Sequence, residues 1–504
     1  MDKAMNPWMA KMMRVLTVEG ILQDPDEARY VPAQAYCPTL TEFAKQFKAL
    51  MHSSGWEERR ISIFVDGVPK KFSEGRSGDI DEEFRDILKN MCLAFDWIDL
   101  SVILGVAPAD IHTSHVYLDK IREVLHSREG DVMVTLGSGS LTDLVKHSLY
   151  LEGLTSPLIS IPTALTVTAF TSSFSIIDFH GAKRTQVSRE VTATFWVKPF
   201  VECAPSRMSR AGYGDLLARF VAYGDWFLGY HLGVMDRYSE RSFRLMEPFA
   251  PGIRANATGF VQYPLPEETT ACMAAALAMA GIAMSTAGET TPLSGYEHVI
   301  SHALDFLRLV SGRELVFHGE QVALGSLVSA RTIDWLMALP ALQDDMWRLE
   351  STEDALGHLA DRIAAAPFCG VEEPLLAERE RRERIAALTE KLEAARRELT
   401  SEYEKKLMRW QQATSQRNAF AAAWGDIKQD LARLTLRTAD LERLLRQSGL
   451  PCKPEETTPP TTDKEFRWAI GFAPFVRSRM NIADLIYWMG KDPTFVLTTS
   501  HVIR

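Results

Sequence analysis

Two histidines four residues apart, His298 and His302 in SGYEHVISH, fall on one face of any helix that carries them, and a third, His318 in FHGEQ, follows sixteen residues after His302. Two imidazoles at that spacing can share a metal ion. A carboxylate added to them makes a three-ligand centre with an open position for substrate, which is what a catalytic zinc requires. The best acid for that place is Asp215 in AGYGDLLARF, where two glycines precede an acid at an expected helix start. Each part also has an ordinary reading: an i, i+4 pair as a polar helix face, HGE as a turn, Asp215 as a helix cap. His112, His115, His180 and His231 show no such convergence and are read as surface or core residues.

A second piece of chemistry lies in GSGSLTD, residues 137 to 143, between a strand ending at Leu136 and a helix beginning near Leu141. Glycines let backbone approach a pyrophosphate, and amides at a helix amino terminus favour its charge. The spacing is not that of the standard dinucleotide fingerprint, so the turn alone is weak evidence.

The elements that must position these groups change character along the chain. ISIFVD (61–66), DLSVILG (99–105), DVMVTLG (131–137) and PLISIP (157–162) read as strands, separated by helical runs at 79–91 and 114–127. Strand and helix at short alternation predict a parallel sheet covered by helices. From residue 205 helical segments take over, at 206–229, 267–287, 298–310 and 321–339. Residues 376–409 are dense in charge, with Ile385, Leu388, Leu392, Ala395 and Leu399 at the steps of a coiled-coil or helical-hairpin seam. A further run at Ile427, Leu431, Leu434, Leu441 and Leu445 continues it, and a Pro/Thr linker (449–464) precedes the last helices. The expected division is an N-terminal extension (1–54), an α/β dinucleotide-binding domain (55–204), an all-α metal and substrate domain (205–374), a charged long-helix insertion (375–447), and a linker with terminal helices (448–504).

Composition narrows the partners. A net charge of -10 argues against a general nucleic-acid binder, because phosphate neutralisation needs a basic surface. The longest apolar stretch, Ala271 to Met284, is too short for a bilayer and is read as a packed helix. The amino terminus lacks the pattern of a secretory signal, so a cytoplasmic location is the expectation. Six cysteines stand singly, without metal-knuckle or disulfide spacing, and are read as reduced thiols mostly in the core.

The ordered segments TLGSGSLTD, ISIPTALTVTAFTSS, RAGYGDLLARFVAYGDW, MSTAGETTPLSGYEHVISHALD and FHGEQVALG resemble the sn-glycerol-1-phosphate dehydrogenases. These stand within the wider group of iron-type alcohol dehydrogenases, glycerol dehydrogenase and dehydroquinate synthase. The likeness spans roughly 55–345 and resumes near 440–490, where FVRSRMNIADLIYWMG looks like the terminal helices of the family.

The resemblance implies a dehydroquinate synthase-like architecture, here with an extra long-helix arm. It implies that Gly137, Gly139, Ser140, Leu141, Thr142 and Asp143 hold the cofactor pyrophosphate. Thr163, Thr166 and Ser172 would line the nicotinamide side, and Asp66 would meet the adenosine ribose. It assigns Asp215, His298 and His318 to zinc, with nickel or iron as other occupants, and places His302 beside the substrate. Lys183 and Arg184 would meet a substrate phosphate. At the position where the family carries a substrate-touching aspartate this chain has Thr168, and a neutral hydroxyl cannot serve as a charged acceptor.

The implied activity is hydride transfer between NAD(P)H and a small phosphorylated ketone such as dihydroxyacetone phosphate. A dehydroquinate synthase-like cyclase and a non-catalytic scaffold are the alternatives. The 375–447 helices are the expected route to a homo-oligomer.

Overall fold

The computed structural model describes residues 5–72, 78–105, 113–179, 182–342, 346–348, 351–370 and 378–498. His112 and His180 lie outside them. The chain divides into two compact units, residues 1–216 with 240–290, and residues 217–239 with 291–504.

The first unit is built on a six-stranded sheet in the order β1-β8-β5-β4-β2-β3. Its strands are β1 (Ala33–Cys37), β2 (Ile61–Val65), β3 (Phe95–Asp99), β4 (Val132–Gly137), β5 (Leu158–Pro162) and β8 (Ala193–Val197). Every pairing in it is parallel. β6 (Phe174–Phe179) and β7 (Ala182–Val187) form a separate antiparallel hairpin. All residues of β2, β4, β5 and β8 are buried, as parallel strands with both faces covered must be. Phe43, Phe47, Phe84 and Phe195 pack on one face of the sheet, while Leu141, Leu144, Val145 and Leu149 belong to the second cluster.

Three expectations are corrected in this unit. Residues 1–54 are not an appendage: Ala33–Cys37 is an edge strand and Leu40–Ser53 a helix packed on the sheet. The strand expected at 99–105 lies at Phe95–Asp99 and gives way to a short helix at Ser101–Leu104, because Asp99 accepts the Ser101 amide at 2.8 Å and starts a helical turn. Residues 240–290, expected with the helical domain, belong to the sheet unit. They bring the Glu267–Ala287 helix, which by length and composition could cross a membrane but is buried as a core helix.

The second unit is helical. The Tyr296–Val310 and His318–Ala338 helices pack closely on each other. Of the expected seam, Ile385, Leu388, Leu392 and Ala395 lie outside the described side chains, whereas Leu399 is buried along the Glu378–Gln412 helix. The second leucine run is two helices, Trp424–Leu434 and Thr438–Ser448. Asp334 makes the break, accepting the Thr438 amide at 3.0 Å and pairing with Arg437 at 2.9 Å. Nor does the Pro/Thr segment read as a loose linker. Thr457 and Thr461 are buried, and Arg308 donates to the Pro460 carbonyl at 2.7 Å. Of the five cysteines described as free thiols, Cys37 and Cys272 are buried and Cys92 is exposed, so the core expectation holds for two.

Candidate metal and nucleotide sites

In the second unit three imidazoles gather. The His298 and His318 rings meet edge to face with centroids 5.1 Å apart, and His302 stands 6.4 Å from the first and 6.0 Å from the second. His298 and His302 come from one helix, one turn apart, while His318 opens the next. His298 is buried and the other two are half-buried.

Their hydrogen bonds settle which nitrogen faces outward. Glu297 Oε1 lies 2.9 Å from His298 Nδ1 and accepts the Gly295 amide at 2.6 Å. A carboxylate only accepts, so His298 Nδ1 carries the proton and Nε2 keeps its lone pair. Burial and the charge of Glu297 push the Asp225 carboxyl well above its ordinary range.

For His318 the polarity runs through a longer chain. Asp305 Oδ1 accepts from Gln321 Nε2 at 3.0 Å, which turns the Gln321 carbonyl toward Ser301 Oγ at 2.6 Å. The Ser301 hydroxyl donates there and accepts from His318 Nδ1 at 2.9 Å. Nε2 of His318 is again the unprotonated nitrogen. Two Nε2 lone pairs fixed by outer partners fit a cation, which needs neutral imidazoles oriented in advance. Glu297, Ser301 and Gln321, which hold these rings, were not singled out from the sequence. The available signal was their spacing, since Glu297 adjoins His298 and Ser301 is three residues on.

Asp215 is the penultimate residue of the Ser206–Leu216 helix of the first unit and is half-buried.

The candidate nucleotide crevice lies in the first unit. The chain leaves β2 for β3 on one side and returns as β4 on the other, so the C-terminal ends of β2 and β4 flank the point where strand order reverses, the usual ligand crevice of an open α/β sheet. Val65 pairs with Leu136, and the next residues, Asp66 and Gly137, face each other there. A methyl on Gly137 would stand 3.0 Å from Asp66 Oδ2 and 2.7 Å from Leu141 Cδ2. Asp66 is buried and ion-paired to Lys70 at 2.7 Å.

From Gly137 the chain enters the Gly139–Leu151 helix, with Ser138 at the cap position and no side-chain cap. Not every residue of this turn faces the crevice. Leu141 packs in the core, and Thr142 donates to the Ser138 carbonyl at 3.2 Å and lies 3.3 Å from Thr135 Oγ1. Asp143 accepts the Ile176 amide at 3.1 Å and pairs with Lys146 at 3.1 Å. Cofactor contact at Leu141, Thr142 and Asp143 is therefore limited to backbone, whereas Ser138 and Ser140 are half-buried with hydroxyls to offer.

The loop after β5 carries the remaining candidates. Thr163 donates its amide to the Gly137 carbonyl at 3.1 Å. Thr166 and Thr168 are half-buried, and the Thr168 carbonyl accepts the Ser172 amide at 3.1 Å. Ser172 Oγ accepts the Phe174 amide at 3.1 Å. Lys183 and Arg184 stand in β7, in register with Asp178 and Ile177. As neighbours in a strand they point to opposite faces, so they do not converge on one phosphate through the hairpin.

Comparison with known proteins agrees with this arrangement. Residues 90–197 match the family described as iron-containing alcohol dehydrogenase. A glycerol-1-phosphate dehydrogenase (NAD(P)+) of Cenarchaeum symbiosum (strain A) is 33% identical over 222 residues, 42% of this chain and 56% of the relative. That of Nitrosopumilus maritimus (strain SCM1) is 30% identical over 234 residues, 45% and 62%. That of Bacillus subtilis (strain 168) is 28% identical over 213 residues, 42% and 53%. The chain thus spans little more than half the length of the curated relatives it matches.

Among solved structures, an alcohol dehydrogenase from Oenococcus oeni superposes with a TM-score of 0.50 at 13% identity, covering 92% of this chain and 98% of that one. Sulfoacetaldehyde reductase from Bifidobacterium kashiwanohense, in complex with NAD+, gives 0.50 and 13% over 94% and 98%. At that identity the likeness is one of fold. The resemblance read from the motifs is borne out, as is the expected architecture of a parallel-sheet α/β unit followed by helices.

Proposed function

We propose that the chain is a metal-dependent oxidoreductase moving hydride between NAD(P)H and a small phosphorylated ketone, with dihydroxyacetone phosphate and glycerol 1-phosphate as the first pair to test. The observation that carries this reading is the His298 and His318 pair, each presenting Nε2 because Glu297 and Ser301 hold the other nitrogen. Curated relatives named glycerol-1-phosphate dehydrogenase support the substrate class.

In this reading Asp215, His298 and His318 hold one divalent cation. Their donor set, one carboxylate oxygen and two ring nitrogens, has the composition of a catalytic centre with an open position. Zinc, nickel and iron all accept such ligands. Bound there, a cation would supply Lewis acidity toward a carbonyl oxygen, and a nicotinamide would supply the hydride. His302, half-buried beside both ligand imidazoles, delivers the proton to the nascent alcohol.

The Gly137–Ser140 backbone takes the pyrophosphate, Asp66 the adenosine ribose, and Thr163, Thr166 and Ser172 the nicotinamide side. Thr168 contributes a neutral hydroxyl to the substrate, and Lys183 a charge to its phosphate. The chain works in the cytoplasm as a homo-oligomer, which sizing by light scattering tests.

The experiment is an assay of dihydroxyacetone phosphate with NADH and with NADPH, metal content being measured on the same sample. Stoichiometric cofactor oxidation supports the reading. Turnover of a phosphorylated sugar without net cofactor change would favour the cyclase alternative.

A further inference from the structure

Lys146 does not belong to the residues assigned above, yet it is fully buried within the first unit. Its ammonium donates to three carbonyls of one loop, Ala169 at 2.9 Å, Ser172 at 2.9 Å and Phe174 at 2.7 Å, and pairs with Asp143 at 3.1 Å. Burial alone lowers the pKa of this lysine, and Asp143 opposes that. A buried ammonium persists when its donors and charge are met, and here one loop meets most of them.

The same loop is seated against glycines on three helices. A methyl on Gly139 would come within 2.2 Å of Val167 Cγ2, one on Gly212 within 1.7 Å of the Leu165 carbonyl, and one on Gly281 within 2.1 Å of Thr171 Oγ1. Ser285 Oγ accepts the Ser173 amide at 2.9 Å, and Thr171 donates to the Ala278 carbonyl at 3.1 Å. Side chains of the loop reach the surface at Thr166, Val167 and Thr168.

We infer that Lys146 is a positioning residue: it gathers the carbonyls of residues 169, 172 and 174 and so presents Thr163, Thr166, Thr168 and Ser172 in one preformed arrangement, without itself touching a ligand. The inference rests on the proposed function only in taking that loop as the nicotinamide wall.

The test compares Lys146→Met with the parent chain by amide hydrogen exchange and by NADH titration. Exchange across residues 165–174 should speed up by about tenfold while the β4 amides keep their rate, since a loop opens locally once its tether is lost. NADH affinity should fall by about tenfold, because a loosened wall must be ordered on binding. Parental exchange in the loop of a folded Lys146→Met variant overturns the inference.

Should that variant be insoluble, Ser285→Ala decides. It removes one tether and leaves the lysine, so exchange should rise near Ser173 alone with NADH affinity within about twofold of the parent. A tenfold loss there would overturn Lys146 as the principal clamp. A parent chain that binds neither NADH nor NADPH would defeat the proposed function, and the exchange comparison would still decide the role of the lysine.

Discussion

His298 and His318 start from different helices, and their rings nevertheless meet edge to face with centroids 5.1 Å apart. If their outward nitrogens bind one cation, His298→Ala should lose bound divalent metal and turnover together. Elemental analysis after gel filtration, beside a ketone-reduction assay, checks both. A variant that keeps stoichiometric metal would refute the ligand assignment.

Glu297 and Ser301 act on those rings from behind. Glu297→Gln replaces an obligate acceptor for His298 Nδ1 with an amide that can turn its NH2 inward, freeing the ring to flip. Metal affinity should drop by about 10- to 100-fold, the range for partners of ligand histidines. Ser301→Ala breaks the chain from Asp305 through Gln321 to His318 and should act through His318 in the same direction. Competition with a fluorescent chelator measures both. Wild-type affinity in the two variants would show that the tautomers are set elsewhere.

The glycines under the 163–173 loop make a steric prediction. Gly212→Ala places a methyl 1.7 Å from the Leu165 carbonyl oxygen, and backbone cannot yield as a side chain does. A loss of about 1–3 kcal/mol is expected, read by denaturant unfolding. Gly357→Ala, in the Thr352–Gly370 helix at a position with open space, is the control and should cost nothing or stabilise by up to about 1 kcal/mol.

Asp81 offers a test by pH. Burial raises its carboxyl from 3.8 to about 6, and Lys70 only partly opposes this. The other facing groups are Asp79, Asp66 and Arg85. Between those two pH values the folded chain retains a proton that the unfolded chain has released, so the contribution of Asp81 to stability falls as pH rises through the window. Asp81→Asn should flatten that slope and be at least as stable as the parent at neutral pH. A steeper decline in the variant, followed by urea unfolding from pH 4 to pH 7, would contradict the assignment.

Much of this molecule is legible along the chain. The runs 61–66, 131–137 and 157–162 declare β2, β4 and β5, because a strand buried on both faces must be apolar throughout. The long apolar run at 267–287 and the amphipathic segment at 298–310 declare their helices by length and by spacing. Ala33–Cys37 was missed because AQAYC is short, mixed in polarity and an edge strand, which leaves no distinctive pattern. At 427–445 a coiled coil and a helical hairpin were both open, because heptad spacing does not distinguish one long helix from two helices, and the break is made by Asp334 of another helix.

What the residues alone determined is the inventory of chemistry: imidazoles four residues apart on one helical face, a glycine turn between strand and helix, and an acid at the end of β2. Local spacing suffices for these, since helix and strand geometry are periodic. What only the tertiary structure decided is which atoms those groups present. The proton positions on His298 and His318 depend on Glu297 and on a chain of partners ending at Asp305. The inward turn of Asp143 depends on a lysine bound to carbonyls more than twenty residues away. Hydrogen-bond polarity is a property of neighbours in space, and a sequence orders its neighbours only along the chain.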